Sequence, residues 1–188
     1  MIDFTAIAHG QVQSKIWLCE NLEPLLPERP NCRVLILGSW YGVLNFMMLT
    51  RNQNRYDLIT GIDKDTHAIE ISDKFLNAWS IGENSKANNI VKDLDEPNSI
   101  DPMYNVIINC SGEHMSDKWY KQVHRDQLLC LQTSNRVTDD PIWNVTNPNP
   151  TMEDFKAKYP MSQILFEGEK VFDYGHLCYS RYMLIGRK

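Results

Sequence analysis

Residues 34–44 read Val34-Leu-Ile-Leu-Gly38-Ser-Trp-Tyr-Gly42-Val-Leu44, a buried strand followed by a glycine-bearing turn and the start of a helix. The run before Gly38 is apolar at successive positions, which is typical of a strand buried on both faces of a sheet. Gly38 and Gly42 let the backbone pass close to a ligand, and the helix predicted over 41–52 offers free N–H groups at its start. In an open α/β sheet such a turn lies at the carboxyl edge of the strands, where ligands bind.

Strands and helices alternate along the rest of the chain. Besides 32–38, the pattern predicts strands at 57–63, 90–93, 104–110 and 128–132, and helices over 8–22, 41–52, 66–80 and a short segment capped by Ser116. Alternation of this kind gives a parallel sheet with helices on both faces. The last two strands, 163–172 and 179–186, are joined by a short turn and must therefore be antiparallel. We predict an α/β, Rossmann-like fold whose mostly parallel seven-stranded sheet ends in a C-terminal antiparallel hairpin.

Two of the predicted helices carry apolar side chains at three-to-four spacing, which places one face of each helix on the core. These side chains are Val12, Ile16, Cys19 and Leu22 in the first helix, and Ala68, Ile71, Phe75 and Trp79 in the third.

The length of 188 residues predicts a single domain, 1–188. Residues 1–30 form its N-terminal helical extension. Residues 134–150 hold three prolines and four asparagines and are predicted to be a long loop, a common place for lids and binding residues. Trp143 in this loop is a candidate pocket residue. Thr151 is predicted to cap the helix that follows.

Charge and composition exclude several classes of protein. The net charge of −5 does not indicate an electrostatic nucleic-acid binder. Five cysteines without C-x-x-C spacing favour reduced thiols over disulfides or a zinc ribbon. The first residues do not resemble a signal peptide, and no apolar run is long enough to span a bilayer. We therefore expect a cytoplasmic protein with no membrane partner, and the histidine spacing predicts no metal site.

Acidic residues follow the second and third predicted strands at the edge that holds the glycine turn. Asp63 stands 21 residues after Gly42 and can accept hydrogen bonds from both hydroxyls of a ribose. Asp93 can accept one from the exocyclic amine of adenine. Each acid also has a plainer interpretation, as a solvated strand-end or helix-cap carboxylate. Taken together, the turn and the two acids predict a nucleoside site.

The sequence resembles the class I S-adenosylmethionine-dependent methyltransferases across about residues 30–188. Gly38–Gly42 resembles the first motif of that family, Ile62–Glu70 the second, Asp93-Leu94 the adenine-contacting position, and Tyr104–Cys110 the fourth strand. Leu37–Gly42 and Asn109–Met115 further resemble small phage-encoded methyltransferase-like proteins. The resemblance implies the cofactor S-adenosylmethionine, held by Gly38, Ser39, Trp40, Tyr41, Gly42, Asp63, Lys64, Asp93, Leu94 and Asn109.

The first motif departs from the family pattern at two positions. Trp40 replaces its middle glycine, and Ile36 stands where the family commonly has an acid that orients the turn and the methionine amine. Trp40 and Tyr41 can line the pocket for the methionine part of the cofactor, since an aromatic face attracts the sulfonium cation. Alternatively, Trp40 packs against the N-terminal helix.

A second cluster follows the fourth strand, Asn109-Cys-Ser-Gly-Glu113-His114. Transfer of a methyl group to a hydroxyl or amine requires removal of a proton, and the ordinary pKa of histidine suits this role. His114 is therefore the candidate base, oriented by Glu113 or Asp117, with capping of a helix as its structural alternative. Asn109 is a candidate to hold a substrate amine or the amino acid part of the cofactor. Cys110 lacks the setting of a nucleophile.

Three functions remain open at this point. The first is a methyltransferase that acts on an unidentified small or exposed acceptor. The second is a catalytically inactive protein of the same fold with a binding or structural role, which the departures at Ile36 and Trp40 favour. The third, a nicotinamide-binding Rossmann protein, requires a G-x-G-x-x-G turn that this chain lacks.

Overall fold

The computed structural model describes residues 3–79, 86–136, 145–175 and 177–188. Within these ranges, seven strands form one sheet and five α-helices pack on it. The strands are β1 (Arg33–Leu37), β2 (Leu58–Asp63), β3 (Ala87–Val91), β4 (Val106–Asn109), β5 (Leu128–Ser134), β6 (Gln163–Asp173) and β7 (Cys178–Arg187). The α-helices are α1 (His9–Leu22), α2 (Val43–Asn52), α3 (Thr66–Trp79), α4 (Lys118–Gln122) and α5 (Met152–Lys158).

The strand order across the sheet is β3-β2-β1-β4-β5-β7-β6. The first five strands pair in parallel, and β7 pairs antiparallel with both β5 and β6. This arrangement confirms the predicted fold class, a mostly parallel sheet with an antiparallel hairpin at its end. The position of β7 between β5 and β6 also argues against a nicotinamide-binding Rossmann protein.

The apolar run of β1 is buried because its side chains enter two different cores. Val34 and Ile36 face the core beneath α1 and α2. Leu35 and Leu37 face the core that contains α4 and α5, among them the large buried side chains of Trp119, Tyr159 and Phe155. A strand covered on both sides needs apolar residues at every position, which is why its periodicity of two is lost.

The third strand lies at residues 87–91, not at 90–93 as predicted. Its polar residues obscured the pattern because they find partners inside the fold. Asn89 donates from Nδ2 to a carboxylate oxygen of Asp73 in α3 at 2.7 Å, and its neighbour Asn88 accepts a bond from Thr60 in β2. Side chains satisfied in this way allow an edge strand to be polar.

The buried faces of two helices also differ from the prediction. In α3, Phe75 is 44% exposed, whereas Leu76 is buried. In α1 the fully buried positions include Ser14 and Leu18, while Val12 and Ile16 are only partly buried. The face is rotated because α1 packs across the sheet at β5, where the Ser14 carbonyl accepts a hydrogen bond from Gln132 at 3.0 Å. The side chain of Trp79 lies outside the described residues.

The short helix predicted near Ser116 is present as α4, but its N-cap is Asp117, and Ser116 only accepts a weak bond from the Lys118 N–H at 3.3 Å. The predicted cap of α5 is correct, since Thr151 accepts from the N–H of Asp154 at 3.1 Å. The loop expected at 134–150 begins one residue later because β5 includes Ser134. Residues 137–144, with Trp143, lie outside the described residues.

Candidate functional site

The turn after β1 has the backbone conformation that glycine favours, even at Trp40. Gly38, Trp40 and Gly42 have φ angles of 61°, 49° and 68°, all in the left-handed region. A non-glycine residue there costs about 1–2 kcal/mol. Trp40 therefore keeps the local geometry of the glycine that it replaces, at a conformational cost.

The N–H groups of this turn are bonded within the protein. The N–H of Ser39 donates to the carbonyl of Ile62, that of Trp40 to the carboxylate of Asp63, and that of Gly42 to the Ser39 carbonyl, at 2.9, 2.8 and 2.9 Å. These three N–H groups are therefore not free for a ligand. Within the part of the chain that the structure describes, the N-cap of α2 makes no side-chain hydrogen bond, so the first turn of this helix remains a source of donors, as the sequence predicts.

Asp63 lies at the end of β2, where the sequence placed it, and its carboxylate holds two backbone segments together. One oxygen accepts from the N–H of Trp40 and the other from the N–H of Asp65 at 3.0 Å. The side chain is partly exposed, and each carboxylate oxygen has a second lone pair for another donor. Its neighbour Lys64 is exposed.

Asp93 lies close to Asp63 at the same edge of the sheet, because the N–H of Lys92 donates to the Asp63 carbonyl at 2.9 Å. Asp93 is exposed, and its carboxylate accepts from the N–H of Asp95 at 2.9 Å. Leu94, next to it, is buried. The structure thus brings together the two acids and the glycine turn that the sequence singled out.

Trp40 packs in a small apolar cluster. Its ring stacks on that of Tyr41, with centroids 4.7 Å apart, and contacts a cluster that contains Ala6, Ala68 and Ile71. The indole thus packs on a cluster formed by α3 and by the segment before α1, whereas the packing alternative placed it against the N-terminal helix itself.

The loop after β4 closes over the glycine turn. The hydroxyl of Ser111 donates to the carbonyl of Gly38 at 3.0 Å. A Cβ built on Gly38 would lie 2.8 Å from both Ser111 Cβ and Met115 Cε. The space over Gly38, which we call the Gly38 cradle, is thus filled by two of the protein's own side chains.

Asn109 is buried at the end of β4 and orders this loop. Its Oδ1 accepts from the N–H of Ser111 at 2.8 Å, and its Nδ2 lies 3.5 Å from the sulfur of Met115. The buried amide therefore contacts both residues that fill the Gly38 cradle.

His114 and Glu113 lie side by side in the same loop. The Nε2 atom of His114 is 3.5 Å from Oε1 of Glu113, and the histidine side chain is 37% exposed. Asp117, the other candidate partner, is bonded instead to the Tyr159 hydroxyl and, at 2.8 Å, to Nδ2 of Asn147. Of the two acids, Glu113 is the one in position to orient His114.

Glu113 is anchored from the neighbouring strand. Its Oε2 accepts from the backbone N–H and the hydroxyl of Ser134, at 2.7 and 2.6 Å. Burial by itself would raise the pKa of Glu113, but the Arg181 guanidinium, the bonds from Ser134 and the His114 ring hold it below its usual value. The carboxylate is therefore ionised at neutral pH and accepts hydrogen bonds rather than donating them.

The sequence places Arg181 of β7 in a solvated basic tail with Arg187 and Lys188, but the structure buries it. Sequence reasoning also missed Lys15 in α1 and Ser134 in β5. For Arg181 the available signal is a charged residue within a largely apolar strand. Cys110 lies nearby, and burial raises the pKa of its thiol to about 11. It is therefore a neutral thiol at physiological pH, not a nucleophile.

The residues present fit the nucleoside half of S-adenosylmethionine better than its methionine half. Asp63 and Asp93 offer accessible carboxylate oxygens at neighbouring strand ends. The Gly38 cradle, in contrast, is filled by Ser111 and Met115. The described residues contain no cluster of three or more histidine, cysteine or acidic side chains able to hold a metal ion.

Comparisons with known proteins place the fold. No protein-family model matches the sequence, and no curated protein matches it. Among solved structures, the YcgJ protein of Bacillus subtilis is similar with a TM-score of 0.69 and 11% identity, covering 92% of this chain and 98% of that one. Geranyl diphosphate C-methyltransferase from Streptomyces coelicolor, solved with S-adenosyl-L-homocysteine, has a TM-score of 0.68 and 7% identity, covering 95% and 78% of the two chains.

A third similar structure is TrmK of M. capricolum in complex with S-adenosyl-homocysteine, with a TM-score of 0.63 and 11% identity over 93% of this chain and 68% of that one. The chain has the class I methyltransferase fold. At these identities the likeness extends to the fold alone. No helix in the described part of this methyltransferase fold is both long and apolar enough to cross a lipid bilayer.

Proposed function

We propose that the protein is an S-adenosylmethionine-dependent methyltransferase that acts on an unidentified acceptor. One observation carries the proposal, the partly exposed carboxylate of Asp63, which is bonded to the turn after β1 at the carboxyl edge of the sheet. Similar structures with S-adenosyl-homocysteine bound support the same cofactor class. A phage origin and a cytoplasmic location remain proposals of the same kind.

The residues at this edge would divide the binding of the cofactor among them. Asp63 binds the ribose hydroxyls, and Asp93 with Leu94 binds adenine. The methionine part requires the side chains of Ser111 and Met115 to move away from Gly38. When bound, S-adenosylmethionine supplies a methyl group on a sulfonium centre.

His114 would take the proton of an acceptor hydroxyl or amine. The ionised carboxylate of Glu113, 3.5 Å from its Nε2, orients the ring. The partial exposure of His114 leaves it accessible to an acceptor that approaches from solvent.

Isothermal titration with S-adenosylmethionine tests the proposal. We expect saturable binding that Asp63→Ala weakens by about 1.5–3 kcal/mol, the scale of a hydrogen bond to a charged group. Glu28→Ala is the matched control, because Glu28 is an exposed acid that precedes the amino end of β1. If millimolar cofactor gives no heat of binding and no shift in the melting temperature, the proposal that the protein is a methyltransferase is rejected.

A specific observation favours a second function, that of a binding or structural protein without methyl transfer. The filled Gly38 cradle and the bonded N–H groups of Ser39, Trp40 and Gly42 mean that the protein itself occupies much of the turn. In this case the titration gives no binding, or gives adenosine binding without added affinity from the methionine part.

A further inference from the structure

A cluster of charged and polar side chains lies beneath α1, beside the carboxyl ends of β4 and β5. It consists of Lys15, Cys110, Glu113, Ser134 and Arg181, and we call it the α1 cluster. Alternate residues of a strand share a face, so Arg181 lies on the same face of β7 as Met183, which belongs to the core beneath α1. The methyl-transfer mechanism proposed above uses Glu113 but neither cation of this cluster.

Arg181 is buried without a full set of partners. It is only 6% exposed, and its Nε–H has no hydrogen-bond acceptor among the described residues. The Glu113 carboxylate attracts the guanidinium, but one of its oxygens is already bonded twice to Ser134 and the other faces His114. An arginine has five donors in a planar fork that matches a carboxylate or phosphate.

Lys15 adds a second cation to this region. Its ammonium group donates to the side-chain and backbone oxygens of Gln11, at 2.8 and 3.4 Å, and both of these acceptors are uncharged. Burial is the main cause that lowers the pKa of Lys15 to about 8, and the nearby Arg181 lowers it further. The lysine is still mainly protonated at pH 7.

The charges of the α1 cluster do not balance. At neutral pH it holds two cations and one carboxylate, since Cys110 is a neutral thiol. The cluster therefore has one cation more than it has carboxylates, which is unfavourable for groups removed from water, and it lies at the edge of the sheet where ligands of α/β proteins bind.

We propose that Arg181 and Lys15 bind an anionic group, a carboxylate or a phosphate, of a small ligand that lies beneath α1. The Nε–H of Arg181 donates to one oxygen of that group, and the Lys15 ammonium neutralises its charge. The proposal does not depend on methyl transfer, because the site contains neither Asp63 nor the glycine turn.

The experiment follows the Nε–H resonance of Arg181 by NMR in ¹⁵N-labelled full-length protein at pH 7, without cofactor. Loss of the signal in Arg181→Lys assigns it, and through-bond assignment replaces that variant if it does not fold. The protein is titrated separately with sodium acetate and sodium phosphate, with sodium chloride keeping the ionic strength constant.

We expect a saturable shift of this signal with at least one of the two anions, and a dissociation constant at least tenfold higher in Lys15→Met. The control is Lys156→Met, which removes a surface lysine paired with Glu167. It should bind the two anions with the affinity of the unmodified protein. Saturation by phosphate alone identifies a phosphorylated ligand, and by acetate alone a carboxylate.

An unsaturable shift equal to that given by chloride would overturn the proposal, as would unchanged affinity in Lys15→Met. Neither result bears on the titration with S-adenosylmethionine, so the two proposals fail separately.

Discussion

The side-chain carboxylate of Asp63 accepts a hydrogen bond from the backbone N–H of Trp40 at 2.8 Å. This contact joins the end of β2 to the turn after β1. Its second oxygen accepts from the N–H of Asp65 just before α3. The residue predicted to bind ribose therefore also fixes the shape of the turn beside which the ribose would lie.

Substitution of Asp63 separates the hydrogen bonds from the charge. Asp63→Ala removes both acceptors and should lower the free energy of unfolding by about 1–3 kcal/mol. Asp63→Asn keeps one acceptor oxygen for Trp40 and should lower the free energy of unfolding clearly less than Asp63→Ala does. Urea denaturation measures both, and equal losses would mean that the contact with Trp40 contributes nothing to stability.

Because the backbone of Trp40 is left-handed, we expect a glycine variant at this position to be more stable than an alanine variant, the reverse of their order in a helix. Trp40→Ala and Trp40→Gly both lose the packing of the indole, but only glycine is free of strain at a φ of 49°. Trp40→Gly should therefore be more stable than Trp40→Ala by about 1 kcal/mol.

The same two substitutions at Trp17, inside α1, are the matched control. There glycine should be less stable than alanine by about 1 kcal/mol, as in any helix interior. If urea denaturation gives the glycine and alanine variants the same order of stability at both positions, the backbone of Trp40 is not strained.

Glu113 should make stability depend on pH. Because its pKa is lowered in the folded protein, its contribution is fully present above the unfolded value of about 4.3 and is lost as pH falls through the folded value. Glu113→Gln should destabilise the protein at pH 7 by about 3 kcal/mol, since Arg181 is left without a counter-charge.

The difference between this variant and the unmodified protein should shrink as pH falls below about 4.3. Denaturation at several pH values measures it, with Glu153→Gln on the exposed start of α5 as the control. A difference independent of pH would contradict an ionised Glu113.

The side chain of Met115 occupies part of the Gly38 cradle. Met115→Ala removes the side chain whose Cε lies nearest the turn, so cofactor binding no longer has to displace it. The affinity for S-adenosylmethionine in isothermal titration should rise several-fold. The control is Met103→Ala, at a methionine that is 39% exposed. A fall in affinity in Met115→Ala would show that this side chain holds the ligand instead of excluding it.

His114→Ala tests the proposed base once an acceptor with a hydroxyl or amine is in hand. Methyl transfer should fall about 10²–10⁴-fold, the usual contribution of a general base, with cofactor affinity almost unchanged. The exposed His124 provides the control substitution. Equal losses in turnover and in cofactor affinity would make His114 a structural residue.

The sequence predicted those parts of the fold that local pattern determines. The run from Val34 to Gly38 was located to within a residue or two, because an unbroken apolar segment that ends at glycine has few alternatives. The two final strands were located equally well, because their segments are separated by a short turn that contains Gly175. The third strand was misplaced because Asn88 and Asn89 find partners within the fold, which no pattern of hydrophobicity reveals.

The α1 cluster could not be predicted from the sequence, for a different reason. Lys15, Glu113 and Arg181 are far apart along the chain, and only the packing of α1 over β4, β5 and β7 brings them together. The filled Gly38 cradle was missed likewise, since Ser111 and Met115 reach the turn from another strand end.

The place of β7 in the sheet has a consequence for folding. It follows β5 and β6 along the chain, yet it is an interior strand, bonded to β5 on one side and to β6 on the other. Until β7 is in place, β5 has an unpaired edge, and such edges are open to aggregation. The sheet is therefore complete only when the segment that begins at Cys178 has inserted between β5 and β6.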